Sequence, residues 1–415
     1  WRERAERLDI GQAQIEEPDW DHVDGQGIHR RLDTHWRFRA FLLAARYWEV
    51  DWVRLQLEMR EQGRRRDRQD RTSSLSRLRR MARLTPVMVG TFHTLPRQIS
   101  CFDGSRKQAV PLWSSADFLV VDEAGQASPE VGGSAFALAR RALVIGDPYQ
   151  IEPVHNVPAG IDAANLRRAG LTDHIDHLDD HFGRSHDGNL IRLAQARTHF
   201  TVPDASDPGM FLSEHRRCLP SIISLCNEMV YRGRLNPRRP ASAGNSPLPP
   251  LLHHDIRSSE IRRLGTSPCN PVEAEAIADW VVNNRQMLLE AYPAARGDLA
   301  QVLAIVTPFR AQAREVCNAL RARGVPESKA TSSGITVGTV HALQGAESPV
   351  VIFSTTYAGT HAGTLFFDRG VNMLNVAISR AKDSFLVFGD RRLLQTEGTR
   401  PSSYIARALA AGVAT

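Results

Sequence analysis

Short, unbroken apolar runs that end in polar residues recur along this chain, with helical periodicities between them. T-P-V-M-V-G-T (85–91), F-L-V-V-D-E (118–123) and R-A-L-V-I-G-D (141–147) form one group. Q-V-L-A-I-V-T-P (301–308), V-V-I-F-S-T-T (350–356) and S-F-L-V-F-G-D (384–390) form a second. Such runs predict parallel strands buried on both faces, with ligands at their carboxyl ends. S-A-F-A-L-A-R-R (134–141) is a plausible crossover helix in the first group. S-I-I-S-L-C-N-E-M-V-Y (221–231) and N-P-V-E-A-E-A-I-A-D-W-V-V (270–282) serve as helices in the second. Strands alternating with helices twice over predict an α/β chain of two domains with mainly parallel sheets.

Ahead of the first group the pattern differs. H-W-R-F-R-A-F-L-L-A-A-R-Y-W-E and W-V-R-L-Q-L-E-M-R-E-Q have apolar positions compatible with helix. They lead into an arginine run, so 1–84 is expected to be a helical, basic insertion, with a loop near 62–74. The expected division is 1–84, a first domain at 85–207 and a second at 208–415, with 234–271 a Pro/Ser/Arg-rich loop.

The length of 415 residues suits two or three domains. No apolar run approaches the roughly 20 residues needed to span a bilayer, and the charged N-terminus lacks the core of a signal peptide. A cytoplasmic protein without a membrane partner is therefore expected. Five scattered cysteines without C-x-x-C spacing suit free thiols. The net charge of +6 is concentrated in residues 54–83, where eleven arginines face four acids. Two readings stay open there, a polyanion partner and a solvated arm. His174, His177, His181 and His186 fall in an Asp-rich interval; a solvated linker helix is the stronger reading over a metal site.

The chemistry begins with A-D-F-L-V-V-D-E-A-G-Q (116–126). A strand that delivers Asp122 and Glu123 to its carboxyl end suits phosphoryl transfer to water. Asp122 is placed to hold Mg²⁺ and Glu123 to orient and deprotonate the water. Alone this is a weak signal. Its company makes it specific: G-D-P-Y-Q (146–150), E-H-R-R-C-L-P (214–220), V-T-P-F-R-A-Q (306–312), G-T-V-H-A-L-Q-G-A-E (338–347) and N-V-A-I-S-R-A-K (375–382) follow in order. Over about residues 85–395 this set resembles the motifs of superfamily 1 helicases, in the branch of the nonsense-mediated-decay helicase and its bacterial relatives.

The resemblance implies two RecA-like domains with ATP and Mg²⁺ between them, and 5′→3′ movement on single-stranded nucleic acid. It makes Asp122 the magnesium residue and Glu123 the water residue, and Gln150 the sensor of nucleotide state. Arg217, with Arg216 as the fallback, and Arg380 become the cations on the γ-phosphate. It places Asp147, Gly345 and Glu347 on the nucleotide, and Thr91, Thr307, Thr339 and His341 on the nucleic-acid backbone. DNA is ranked above RNA, although backbone contacts do not read the sugar or base.

One part is missing. The family needs G-x-x-x-x-G-K-[S/T] upstream of Asp122, and the chain contains no G-K dipeptide. The favoured expectation is that the loop lies upstream of Trp1 in a longer protein and that this chain alone hydrolyses ATP poorly. The alternative is a non-hydrolysing nucleic-acid-binding or scaffold module.

Overall fold

The computed structural model describes residues 29, 32–61, 70–201, 207–325, 334–343, 345–359, 361 and 363–411. Arg64, Arg65, Arg66 and Arg68 of the basic run lie outside the described residues. The chain divides into two compact units. One holds the described residues up to Leu119 together with Val131–Leu143; the other holds Val120–Glu130 and everything from Val144 onward.

In the first unit, α1 (Phe38–Glu61) has no buried residue. Its charges pair along its own length: Arg54 reaches Asp51 at 2.8 Å and Glu58 at 2.6 Å. Arg83 pairs with Asp51 and lies over the Trp48 ring. Part of the basic run is thus neutralised internally. A second helix, α2 (Arg71–Met81), starts where a loop was expected. Asp70 caps it by accepting from the Ser73 N–H at 3.0 Å, the cap interaction that aspartate favours.

A hairpin, β1 (Ser100–Asp103) with β2 (Gln108–Pro111), packs Cys101 and Leu112 with Leu95, Ile99, Ala135 and Leu138. Then come β3 (Ala116–Val121), α3 (Pro129–Phe136) and β4 (Ala139–Val144). The helix begins five residues earlier than the periodicity predicted, because Pro129 suits a first turn. Ala116 N–H donates to Leu138 and Ile145 N–H donates to Val121, so the pairing ascends along both strands and they run parallel.

Two expectations fail here. Residues 85–91 form no strand, and Val87 and Val89 are 76% and 91% exposed. No ladder partner exists for them among the described residues, and an unpaired strand has nowhere to place its backbone hydrogen bonds. β3 and β4 are also not covered on both faces: Phe118 and Val120 are over half exposed, and Leu143 nearly so.

The second unit meets the expectation. Among the described residues its main sheet has five strands: β5 (Leu251–Asp255), β6 (Leu303–Thr307), β7 (Thr336–Thr339), β8 (Ser348–Ser354) and β9 (Ala381–Gly389). Their order is β7-β6-β8-β9-β5, and every pairing is parallel. Every residue of β6 is buried, and Phe353, Phe385 and Phe388 are at most 1% exposed. Ile277, Val281 and Leu288 of α6 (Pro271–Ala291) and Val316 and Leu320 of α7 (Arg310–Ala322) pack with Ile305 and Phe388 on one side of the sheet. Ile222 and Cys226 of α5 (Pro220–Cys226) pack with Val376 of α8 (Asn372–Ser379), Ile405 of α9 (Pro401–Ala410) and Phe353.

The short helix α4 (Leu190–Gln195) lies earlier in the chain, and its Leu190 N–H donates to the Ala127 carbonyl shortly after Glu123. The molecule is a mixed α/β chain with a parallel sheet, consistent with RecA-like architecture. None of its described helices is long and apolar enough to cross a membrane.

Candidate functional site

The candidate carboxylates lie where β3 ends. Both Asp122 and Glu123 are exposed, and Glu123 adopts a left-handed backbone with φ of 53°. That conformation is costly for a residue with a Cβ and persists where the surroundings enforce it. They do so here. A Cβ on Gly125 would stand 2.8 Å from the Asp147 carbonyl oxygen, and one on Gly146 would stand 3.0 Å from the Ala124 nitrogen. The D-E-A-G and G-D backbones therefore cross at contact distance, which only glycine permits. Asp122 Oδ1 accepts from the Glu123 N–H at 2.9 Å, and Gln126 Nε2 donates to Glu123 Oε2 at 2.9 Å. The remaining Asp122 oxygen is a hard, exposed donor of the kind Mg²⁺ takes.

The next strand end carries Asp147 and Gln150. Asp147 Oδ1 accepts from the Tyr149 N–H at 2.9 Å, and Oδ2 accepts from the Tyr231 hydroxyl at 2.5 Å. Asn372 Nδ2 donates to the Gln150 carbonyl at 2.6 Å, and Asn375 Nδ2 donates to the Tyr149 carbonyl at 2.9 Å and the Tyr231 hydroxyl at 2.8 Å. The 147–150 loop is thereby held to α8, the helix that leads into Arg380. Gln150 Oε1 and Asn375 Oδ1 are buried without a partner among the described residues.

Arg380 is only 5% exposed; its Nη1 donates to the Ala346 carbonyl at 3.2 Å. Burial first, and then the charge of Arg217, lower its proton affinity, while Glu123 and Glu347 raise it. Arg217 Nε lies 2.5 Å from Glu347 Oε2, and Lys382 Nζ lies 2.5 Å from Glu347 Oε1. The hydrogen bond from Lys382 leads in holding the Glu347 carboxyl below its ordinary range. Arg216 pairs with Glu214 instead, so Arg217 is the arginine that joins this cluster. Gly345 has φ of 84° and open space around it. Cys218, beside these cations, is pushed up to about 12 by burial and is no nucleophile.

Two organising residues carry no motif signal. Arg239 Nη1 donates to the carbonyls of Arg217 at 3.0 Å and Lys382 at 2.8 Å. Its Nη2 meets Asp383 Oδ1 at 2.5 Å, and Tyr292 donates to the other oxygen at 2.6 Å. One side chain thus fixes both segments that bear the candidate cations. Tyr231 does the same for Asp147 and Asn375. Arg239 lies in the Pro/Ser/Arg-rich stretch, where composition pointed only to loop.

The expected nucleic-acid contacts fall in both units. Thr91, in the first unit, is exposed, with its hydroxyl 3.1 Å from that of Thr94. Thr339 Oγ1 accepts from the Ala342 N–H at 3.3 Å, and His341 is exposed. Thr307 departs from expectation: its side chain is fully buried, with Oγ1 3.2 Å from Thr356 Oγ1, so that hydroxyl is committed inside the protein.

Beside it a polar network closes the carboxyl edge of the sheet. Glu273 is fully buried and accepts from Ser354 Oγ at 2.5 Å and the Thr356 N–H at 2.9 Å. Burial outweighs these bonds and pushes its carboxyl up to about 8. In the His-rich interval Arg184 and His186 both meet the buried Asp162, and among the described residues no group of three metal-binding side chains occurs.

Residues 193–392 match the family model described as AAA domain. A putative helicase, mov-10-B.1, of Danio rerio is 24% identical over 306 residues, covering 67% of this chain and 28% of the relative. Helicase sen1 of Schizosaccharomyces pombe is 30% identical over 143 residues, covering 34% of this chain and 8% of the relative. The DNA replication ATP-dependent helicase/nuclease DNA2 of Xenopus laevis is 23% identical over 295 residues, covering 66% and 25%. The chain thus spans less than a third of the length of these relatives. Residues 193–392 are thus similar to an AAA domain, and the Danio rerio and Xenopus laevis relatives that match about two thirds of this chain are named helicases.

Proposed function

We propose that this chain supplies the carboxylate and arginine half of an ATP-driven superfamily 1 motor, in the branch of the nonsense-mediated-decay helicase. The phosphate loop comes from sequence outside these 415 residues. The observation that carries the reading is the gathering of Glu123, Arg217, Glu347 and Arg380 in one electrostatic neighbourhood. Glu347, held by Arg217 and Lys382, keeps these cations in place, and incoming phosphate competes for them. Asp122 would hold Mg²⁺, which supplies charge neutralisation when bound. Gln150 and Asp147, fixed to α8, are suited to pass nucleotide state to Arg380. Hydrolysis would drive 5′→3′ movement on single-stranded nucleic acid, DNA ahead of RNA, in the cytoplasm. The division at 84 and 207 belongs to the same reading. A relative named ATP-dependent lends support.

In the intact protein that joins this chain to its phosphate loop, Glu123→Gln should lower nucleic-acid-stimulated ATPase about 10²–10⁴-fold. Unchanged turnover in a steady-state phosphate-release assay would sink the assignment. The absence of any G-K dipeptide favours a second reading, a nucleic-acid-binding module that does not hydrolyse ATP. That reading requires full binding with no turnover even in the intact protein.

A further inference from the structure

Tyr231 lies outside the motifs named above, yet its hydroxyl stands between two of them. Its backbone is firmly placed. Tyr231 ends a single π-helical turn, Asn227–Tyr231, and two left-handed residues follow, Arg232 with φ of 54° and Gly233 with φ of 76°. Asn227 clamps the return of the chain: its Nδ2 donates to the Leu235 carbonyl at 3.0 Å, and its Oδ1 accepts from the Leu235 N–H at 2.9 Å. The Tyr231 ring meets Tyr149 edge-on at 6.1 Å. Single π-turns within helices gather at functional sites.

The hydroxyl serves the carboxylate of Asp147. Asp147 Oδ2 accepts from it at 2.5 Å and from Gln150 Nε2 at 3.4 Å, while Oδ1 accepts from the Tyr149 N–H at 2.9 Å. The other group on the hydroxyl, Asn375 Nδ2, also donates to the Tyr149 carbonyl, so it keeps a partner without Tyr231. Asp147 Oδ2 would keep only the long bond from Gln150 among the described residues. Burial first, and then the charge of Asp147, raise the pKa of the phenol, so the hydroxyl remains a donor. A carboxylate only accepts, so it bonds the Gln150 amide through Nε2 and not through Oε1. The fixed carboxylate thereby decides which way the amide faces. Gln150 Oε1 is left as a buried acceptor without a partner among the described residues. Such an acceptor costs free energy until something donates to it. In phosphoryl transfer to water, a glutamine in this role orients the attacking water.

We propose that Tyr231 is a positioning residue for ATP hydrolysis: through Asp147 it holds the Gln150 amide so that Oε1 accepts from the attacking water. The inference rests on the ATPase reading above and deepens it, because it names what sets the orientation of the candidate sensor. A hydroxyl with a structural role alone would support the fold equally whether or not Gln150 were present. A positioning hydroxyl acts on turnover, and only through Gln150.

The test is a double-mutant cycle in the intact protein that joins this chain to its phosphate loop, read by steady-state phosphate release. Tyr231→Phe removes one oxygen and keeps the ring against Tyr149. It should lower kcat about tenfold, with the KM for ATP and the melting temperature unchanged. Gln150→Ala should lower kcat at least as much, and in that background Tyr231→Phe should change kcat less than about twofold. An asparagine can meet Gln150 through either of its side-chain atoms, so Asp147→Asn loosens the same orientation. It should show the same dependence on Gln150, and it carries the test if Tyr231→Phe folds poorly. An unchanged kcat in the single variants, a loss confined to KM, or a loss that persists in the Gln150→Ala background would overturn the positioning role. If Gln150→Ala leaves turnover intact while Glu123→Gln abolishes it, the positioning role falls and the ATPase reading stands. If neither lowers turnover, the ATPase reading falls and takes the positioning role with it.

Discussion

The paired strands β3 and β4 and the five-stranded sheet β5–β9 are written in much the same sequence language and differ in what covers them. F-L-V-V-D-E and S-F-L-V-F-G-D are both apolar runs ending in acid. In the second, Phe385 and Phe388 are at most 1% exposed between helical layers. In the first, Phe118 and Val120 stand more than half exposed. An apolar run therefore specifies that a strand can be buried on both faces; neighbouring elements decide whether it is. The bare faces suit the proposal that a further part of the first domain completes this sheet.

The largest expected effect lies in the covered sheet. Phe353 is packed by Phe367 at 5.4 Å and Phe385 at 6.0 Å. Phe353→Ala should cost about 3–5 kcal/mol, from lost burial and the cavity left behind. Urea denaturation followed by circular dichroism measures it. A cost below about 1 kcal/mol would mean that the layers around β8 are looser than their burial indicates.

The carboxyl edge of that sheet gives a graded, pH-dependent effect. Glu273 is neutral in the folded protein up to about pH 8, against 4.5 for the ordinary group. A raised folded pKa means that the folded state binds the extra proton, so this group's contribution is fully present below pH 4.5. It declines as pH rises from 4.5 towards 8, and levels off above. Glu273→Gln keeps the shape and removes the titration. Stability measured across that window should therefore fall less steeply in the variant than in the parent. Identical slopes would show that Glu273 does not titrate there. At the end of the strand pair, Asp122 and Glu123 are exposed.

How much of this was legible in the sequence follows from range. The strands β3, β4, β6, β8 and β9 and the helix at Pro271–Ala291 were readable because periodicity is local. Asp122, Glu123, Gln150, Arg217 and Arg380 are candidates from the sequence because each sits at a fixed offset within a motif. The failures involve partners far away in sequence. Thr307 reads as an exposed strand-end hydroxyl until Thr356, 49 residues on, is seen to bury it. Arg239 reads as loop until its reach of 143 residues to Lys382 is known. Residues 85–91 have the composition of a strand, but composition does not supply a ladder partner.

The smallest expected effect tests the bare side of the comparison. Phe118 is 54% exposed, so a change to serine removes little surface that is hidden from water. In the 415-residue chain Phe118→Ser should alter stability by less than about 0.5 kcal/mol, the range of ordinary surface substitutions. In a protein whose first sheet is completed, the same side chain would be enclosed, and the same substitution should cost several kcal/mol through a cavity and an unpartnered hydroxyl. The two measurements, made by thermal or urea unfolding, separate composition from cover. A small cost in both would mean that the face of β3 stays open to water there too, and that the apolar run is not a strand awaiting its neighbours.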